Sequence, residues 1–127
     1  MELSLDTVEI PVAELARAVD WYARALGWRA EWSDERNALL AAPTAGGVRL
    51  LLVQTDDPRR LAFHAGGGEL EHSVLDFSTG DLDGLHRHLS TLVPGLGPIP
   101  EPAYDWAPRG FAFRDSEGNR LAAFARY

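Results

Sequence analysis

The sequence predicts an α+β fold of two βαβββ modules that form a curved mixed sheet around a cleft. Three observations carry that expectation. An alternating strand followed by an amphipathic helix occurs near the start of each half. Each helix is followed by short strand-like runs parted by polar or Pro/Gly turns. The last strand of each half also opens alike, as Gly47-Val48-Arg49-Leu50-Leu51-Leu52 and as Gly118-Asn119-Arg120-Leu121-Ala122-Ala123. The 127 residues read as one domain (1–127), with a first module at 1–54, a linker at 55–69 and a second module at 70–127.

Leu3 to Val12 alternates as a strand, with Val8, Ile10 and Val12 facing a core and Thr7, Glu9 and Pro11 the other side. A helix follows over 13–26, with Leu15, Val19, Tyr22 and Leu26 on one stripe and Gly27 as its C-terminal cap. WRAEWS, NALLAA and VRLLLVQ read as three strands, separated by a polar turn at SDER and a Pro/Gly turn at PTAGG. Residues 55–69, TDDPRRLAFHAGGGE, carry paired acids, paired arginines and a glycine triplet, the composition of a linker.

The order then restarts. LEHSVLDFS alternates, with Ser73, Leu75 and Phe77 on one side and His72, Val74, Asp76 and Ser78 on the other. A helix over 82–92 is capped by Asp81, lined by leucines and stopped by Pro94. GPIPEPAYDWAP reads mostly as loop, around one short strand. GFAFRD and NRLAAFAR close the chain as two strands joined by the DSEG turn.

Composition narrows the function. Apolar residues make up 46%, enough to fold. Asp and Glu outnumber Lys and Arg 19 to 12, a net charge of -7 that argues against nucleic acid and admits a cationic small molecule. No cysteine is present, so thiolate catalysis and thiolate metal sites are excluded. MELSLDTVEI lacks the features of a signal peptide and no run is long enough to span a membrane, so no membrane partner is expected and the expected location is the cytoplasm. No nucleophile elbow or phosphate loop occurs.

The doubled pattern, with ELARAVDWYARALGW after the first strand and FRDSEGNRL before the last, resembles the vicinal oxygen chelate superfamily. That group holds glyoxalase I, extradiol dioxygenases, fosfomycin-resistance transferases and bleomycin-resistance proteins. The resemblance implies the glyoxalase/bleomycin-resistance fold type, with a divalent metal at the cleft floor in the enzymes. The four ligand positions carry over to Thr7, Leu51, His72 and Ala122. Leu51 and Ala122 have no donor, Thr7 is a poor one, and one imidazole does not hold a hard divalent ion. The expectation is therefore a protein with no metal or other cofactor. A displaced metal site built from Glu9, His72 and Asp76 is the alternative.

Period 2 assigns Thr7, Glu9, Leu51, Val53, His72, Asp76 and Phe124 to the cleft face, together with Arg49, Val74 and Ala122. Among the 4 tryptophans, Trp28 and Trp32 read as sharing one face of a strand, and Trp106 sits with Tyr104 in the proline-rich loop. Indole faces bind planar rings and cations, which adds Trp32 and Trp106 to the ligand contacts. His64, His86 and His88 read as surface residues. These residues point to a metal-free protein of bleomycin-resistance type that sequesters an aromatic or cationic drug or natural product. The alternative is a lyase, isomerase or dioxygenase of the same superfamily using Glu9, His72 or Asp76 as general acid or base. The resemblance also implies a homodimer.

Overall fold

The computed structural model describes residues 1–67 and 70–126; Gly68 and Glu69, in the glycine-rich part of the linker, and Tyr127 lie outside the described residues. The elements are β1 (Thr7–Val12), α1 (Leu15–Leu26), β2 (Arg29–Ser33), β3 (Asn37–Ala41), β4 (Arg49–Gln54), β5 (Phe63–His64), β6 (Glu71–His72), β7 (Leu75–Thr79), α2 (Leu82–Ser90), β8 (Gly110–Arg114) and β9 (Arg120–Ala125). They fall into two compact units, Met1–Arg60 and Leu61–Tyr127. Helices and mixed sheets in both units make the fold class α+β, as the sequence predicts.

The first unit holds a four-stranded sheet in the order β1-β4-β3-β2. β1 runs parallel to β4, while β4/β3 and β3/β2 are antiparallel. Ile10, Val12, Ala38, Leu40, Leu50 and Leu52 are buried beneath α1, against Leu15, Ala18, Trp21, Tyr22 and Ala25. The even-numbered positions of β1 and β4 are thus the core face. Burying each large aliphatic there stabilises the unit by about 1.5–3 kcal/mol.

The helix begins two residues later than its periodicity suggests. Glu14 gives no side-chain cap; the Leu15 N–H instead donates to Oε1 of Gln54, 2.9 Å away at the end of β4. At the other end Gly27 adopts φ 79°, and its N–H donates to the Ala23 carbonyl at 3.2 Å. Only glycine takes that left-handed cap without cost.

The second unit holds a three-stranded sheet, β7-β9-β8, with β7 parallel and β8 antiparallel to β9. Leu82, Leu89, Phe111, Phe113, Leu121 and Ala123 form its core. Asp81 caps α2 by accepting from the Gly84 N–H at 2.9 Å. Two expectations differ here. The loop over 97–108 forms no strand among the described residues, because Pro98, Pro100, Pro102 and Pro108 remove ladder donors. From β7 onward the second unit therefore runs βαββ, and its other two strands, β5 and β6, form a separate two-stranded sheet. The strand read over 70–78 is also broken. Its first part, β6, pairs antiparallel with β5 from within the linker stretch, and β7 begins only at Leu75.

The turn between β8 and β9 is a buried polar knot. Oδ1 of Asp115 accepts from the N–H groups of Glu117 (2.8 Å) and Asn119 (2.9 Å), and Oδ2 accepts from Nδ2 of Asn119 at 2.8 Å. Oδ1 of Asn119 accepts from the Leu61 N–H at 2.9 Å, and the Arg120 N–H donates to the Leu61 carbonyl at 2.9 Å. Asp115, Glu117 and Asn119 are all buried. The turn therefore fixes the β9 register and anchors the start of the second unit to it. Among the described residues no helix is long and apolar enough to cross a membrane.

Candidate functional site

The sheet face turned away from α1 carries the first group of candidate residues. Directly opposed residues on neighbouring strands share a face, so the register lists it. Glu9 lies opposite Leu51, Leu51 opposite Leu39, and Leu39 opposite Trp32. One row thus runs across all four strands from a carboxylate, over two leucines, to an indole. Pro11, Val53 and Asn37 form the next row.

Trp32 reaches this face because β2 bulges. Ala30 pairs with Leu40 on the core face and Trp32 with Leu39 on the other, leaving Glu31 as the extra residue. The expectation that Trp28 and Trp32 share a strand face is corrected by this bulge, which breaks the period of 2. Trp28 lies before the strand and its indole N–H donates to the Val48 carbonyl at 3.1 Å.

Charges on this face are mostly spent on one another. Arg49 binds Asp6 at 2.7 Å and Glu31 at 2.9 Å. The Thr7 hydroxyl donates to Asp6. These bonds, Thr7 first and Arg49 next, hold the Asp6 carboxyl below its ordinary value, and Asp6 and then Glu31 hold Arg49 above its own. Thr7 is thereby committed to the N-terminal segment. Glu9, in contrast, makes no hydrogen bond or ion pair among the described residues.

Beside Glu9 is a shallow pocket of about 460 Å³, lined among others by Pro11, Val53, Thr55, Asp57 and Arg59. Arg59 grips Asp57 through its side chain and through its own N–H, holding that carboxyl at about 2. The DDPRR run that supplies these groups reads only as linker in sequence. Its self-chelating Asp-x-Arg spacing is the signal that could have found them.

In the second unit the face away from the core carries Asp76, Ala122 and Ala112 in one row, and Ser78, Phe124 and Gly110 in the next. Asp76 is exposed and, like Glu9, has no hydrogen bond or ion pair among the described residues. Gly110 is required by close approach: a Cβ there would stand 2.7 Å from the Ala123 carbonyl oxygen and 3.2 Å from the Phe124 Cβ.

The register sets the partners of the last-strand positions. Leu51 faces Glu9, and Ala122 faces Asp76. His72 is not on the strand that carries Asp76. It sits half-buried on β6, with its ring stacked on Phe63 at 5.2 Å. Beside it, Glu71 binds Arg114 at 2.6 Å and Arg120 at 3.4 Å; Arg114 is the main cause of its lowered pKa. Trp106 is 76% exposed and stacks in parallel on Tyr104, their centroids 5.4 Å apart. His86 bonds the Gly97 carbonyl and packs edge-on against Phe111, so it ties down the loop after α2.

These residues do not fit the divalent metal of the fold family. Leu51 and Ala122 offer no donor, Thr7 is engaged with Asp6, and the His72 ring is stacked on Phe63. Among the described residues no three His, Asp or Glu side chains gather closely enough to hold an ion.

Comparison with solved structures places the fold among known ones. TnmS3, an antibiotic binding protein from Streptomyces sp. CB03234, matches at 20% identity and TM-score 0.72 over 100% of this chain and 99% of that one. TioX from Micromonospora sp. ML1 matches at 23% identity and TM-score 0.66, over 98% and 99%. The fosfomycin resistance protein FosX from Listeria monocytogenes matches at 12% identity and TM-score 0.74, over 100% and 96%. At such identities these likenesses establish the fold. No curated protein matches the chain. The family model of the Glyoxalase/Bleomycin resistance protein/Dioxygenase superfamily matches residues 4–123, and the chain belongs to that superfamily.

Proposed function

We propose that this chain is a metal-free binding protein that sequesters an aromatic, cationic drug or natural product without turning it over. The observation that carries the reading is the state of Glu9 and Asp76. Each stands without a hydrogen bond or ion pair among the described residues, on the sheet face away from its unit's core and opposite an apolar residue, Leu51 on β4 and Ala122 on β9. An ammonium group gains from an unpaired carboxylate set among apolar neighbours, and the adjoining hydrocarbon accepts the flat part of such a ligand. In the first unit Leu51, Val53 and Trp32 supply that hydrocarbon and aromatic surface, with Thr7 as a further contact; in the second unit Phe124 and Trp106 supply it, with His72 as a further contact. The antibiotic-binding description of TnmS3 agrees in kind.

The test is a fluorescence screen. Bleomycin-type glycopeptides, anthraquinone amines and neutral analogues are titrated against tryptophan emission, and the ligand is then recovered and weighed by mass spectrometry. Saturable quenching by the cationic members, with unchanged ligand mass, is expected. Absence of quenching across the panel would remove the proposal's support. A changed mass, lost in Glu9→Gln, His72→Ala or Asp76→Asn, would favour acid–base catalysis instead. The proposal includes a homodimer as the working form, which light scattering checks.

A further inference from the structure

We propose that the row Glu9–Leu51–Leu39–Trp32 sets the length of the ligand: a planar ring lies on Trp32, an ammonium meets Glu9, and an apolar stretch crosses the two leucines. This rests on the sequestration reading and adds a dimension to it. The four residues are consecutive partners across the strands of the first unit, so their order along the row is fixed by backbone pairing. Three interstrand gaps of about 4.8 Å separate the end strands by about 14 Å.

Partnering elsewhere on the unit isolates the two ends. Asp6 and Glu31 are taken by Arg49, and Asp57 by Arg59, which leaves Glu9 as the carboxylate on this face without a partner among the described residues. Among the tryptophans, Trp28 is bonded to Val48, Trp21 packs edge-on against Tyr22, and Trp106 is stacked on Tyr104. Trp32 is 52% exposed and makes no hydrogen bond or ring contact among the described residues. Leu39 and Leu51 between them are half-buried and offer no polar group to a crossing chain. The bulge at Glu31 is what turns Trp32 onto this face, and Glu31 itself pairs with Arg49.

The probes are naphthoyl amides of ethylenediamine, hexanediamine and decanediamine, titrated by calorimetry into the full chain. The hexanediamine amide should bind about fivefold more tightly than the ethylenediamine amide, the worth of gaining the second end contact. Glu9→Gln and Trp32→Ala should each erase that preference while leaving the circular dichroism unchanged, since both side chains are exposed. Equal affinity for all lengths, a preference that survives either substitution, or no binding of any amide overturns the ruler. If the drugs of the screen still bind in that case, sequestration stands and only the spacing is wrong. If they do not bind either, both fall.

Discussion

Asn119→Ala should unfold the protein about 15 °C early. Asn119 is fully buried and bridges two partners: its Nδ2 donates to Asp115, and its Oδ1 accepts from the Leu61 N–H. Truncation leaves the Leu61 N–H without that acceptor and removes one donor from a carboxylate that is only 6% exposed. Each such loss costs about 1–3 kcal/mol, so about 4 kcal/mol in all. With an unfolding entropy of about 2.1 cal/mol/K for each of 127 residues, that corresponds to about 15 °C in Tm. The assay is differential scanning calorimetry at neutral pH. Asn119→Asp keeps the side-chain size but sets a second carboxylate against Asp115, and should be at least as damaging. Asp56→Ala, exposed and outside the knot, should stay within about 0.5 kcal/mol. An Asn119→Ala melting point within about 2 °C of wild type would refute the reasoning, because the turn would then carry none of the register's stability.

Gly110→Ala forces a Cβ to within 2.7 Å of the Ala123 carbonyl oxygen, a backbone atom that cannot step aside; a loss of about 1–3 kcal/mol in urea denaturation is expected. Gln54→Ala removes the acceptor for the first helical N–H of α1 and should cost about 1 kcal/mol in the same assay. The Asp57 carboxyl should titrate near about 2 by carbon-detected NMR, and should move up toward 3.8 in Arg59→Gln. Because the folded value is depressed, the Asp57–Arg59 contact stabilises fully above pH 3.8 and is lost as pH falls through about 2. A wild-type midpoint at 3.8 would contradict the clamp.

Elements governed by local patterning are legible in the sequence. The alternation of Val8, Ile10 and Val12, the Gly27 cap and the Asp81 cap all depend on near neighbours, and each reads correctly; the stripe of α1 reads in part, since Leu15 and Tyr22 are buried but Ala18, Trp21 and Ala25 take the places expected for Val19 and Leu26. What escapes the sequence depends on pairing between distant strands. The period of 2 gives no warning of the bulge at Glu31, which turns Trp32 away from the phase of Trp28. The alternation over 70–78 hides the break after His72, because only the pairing of β6 with Phe63 and His64 reveals it. The register that sets Glu9 opposite Leu51 and Asp76 opposite Ala122 is likewise fixed by pairing between distant strands. The DSEG stretch reads in sequence only as a tight turn; that Asn119 reaches back to Leu61, a contact 58 residues apart, is a tertiary fact.

The most direct test is calorimetric titration of a cationic anthraquinone antibiotic into the wild-type chain, Glu9→Gln and Asp76→Asn at low salt. Saturable binding to wild type is predicted, weakened about fivefold by each substitution, the worth of one exposed ion pair. Identical affinity in all three, or no binding to any, would contradict a role for the two unpaired carboxylates.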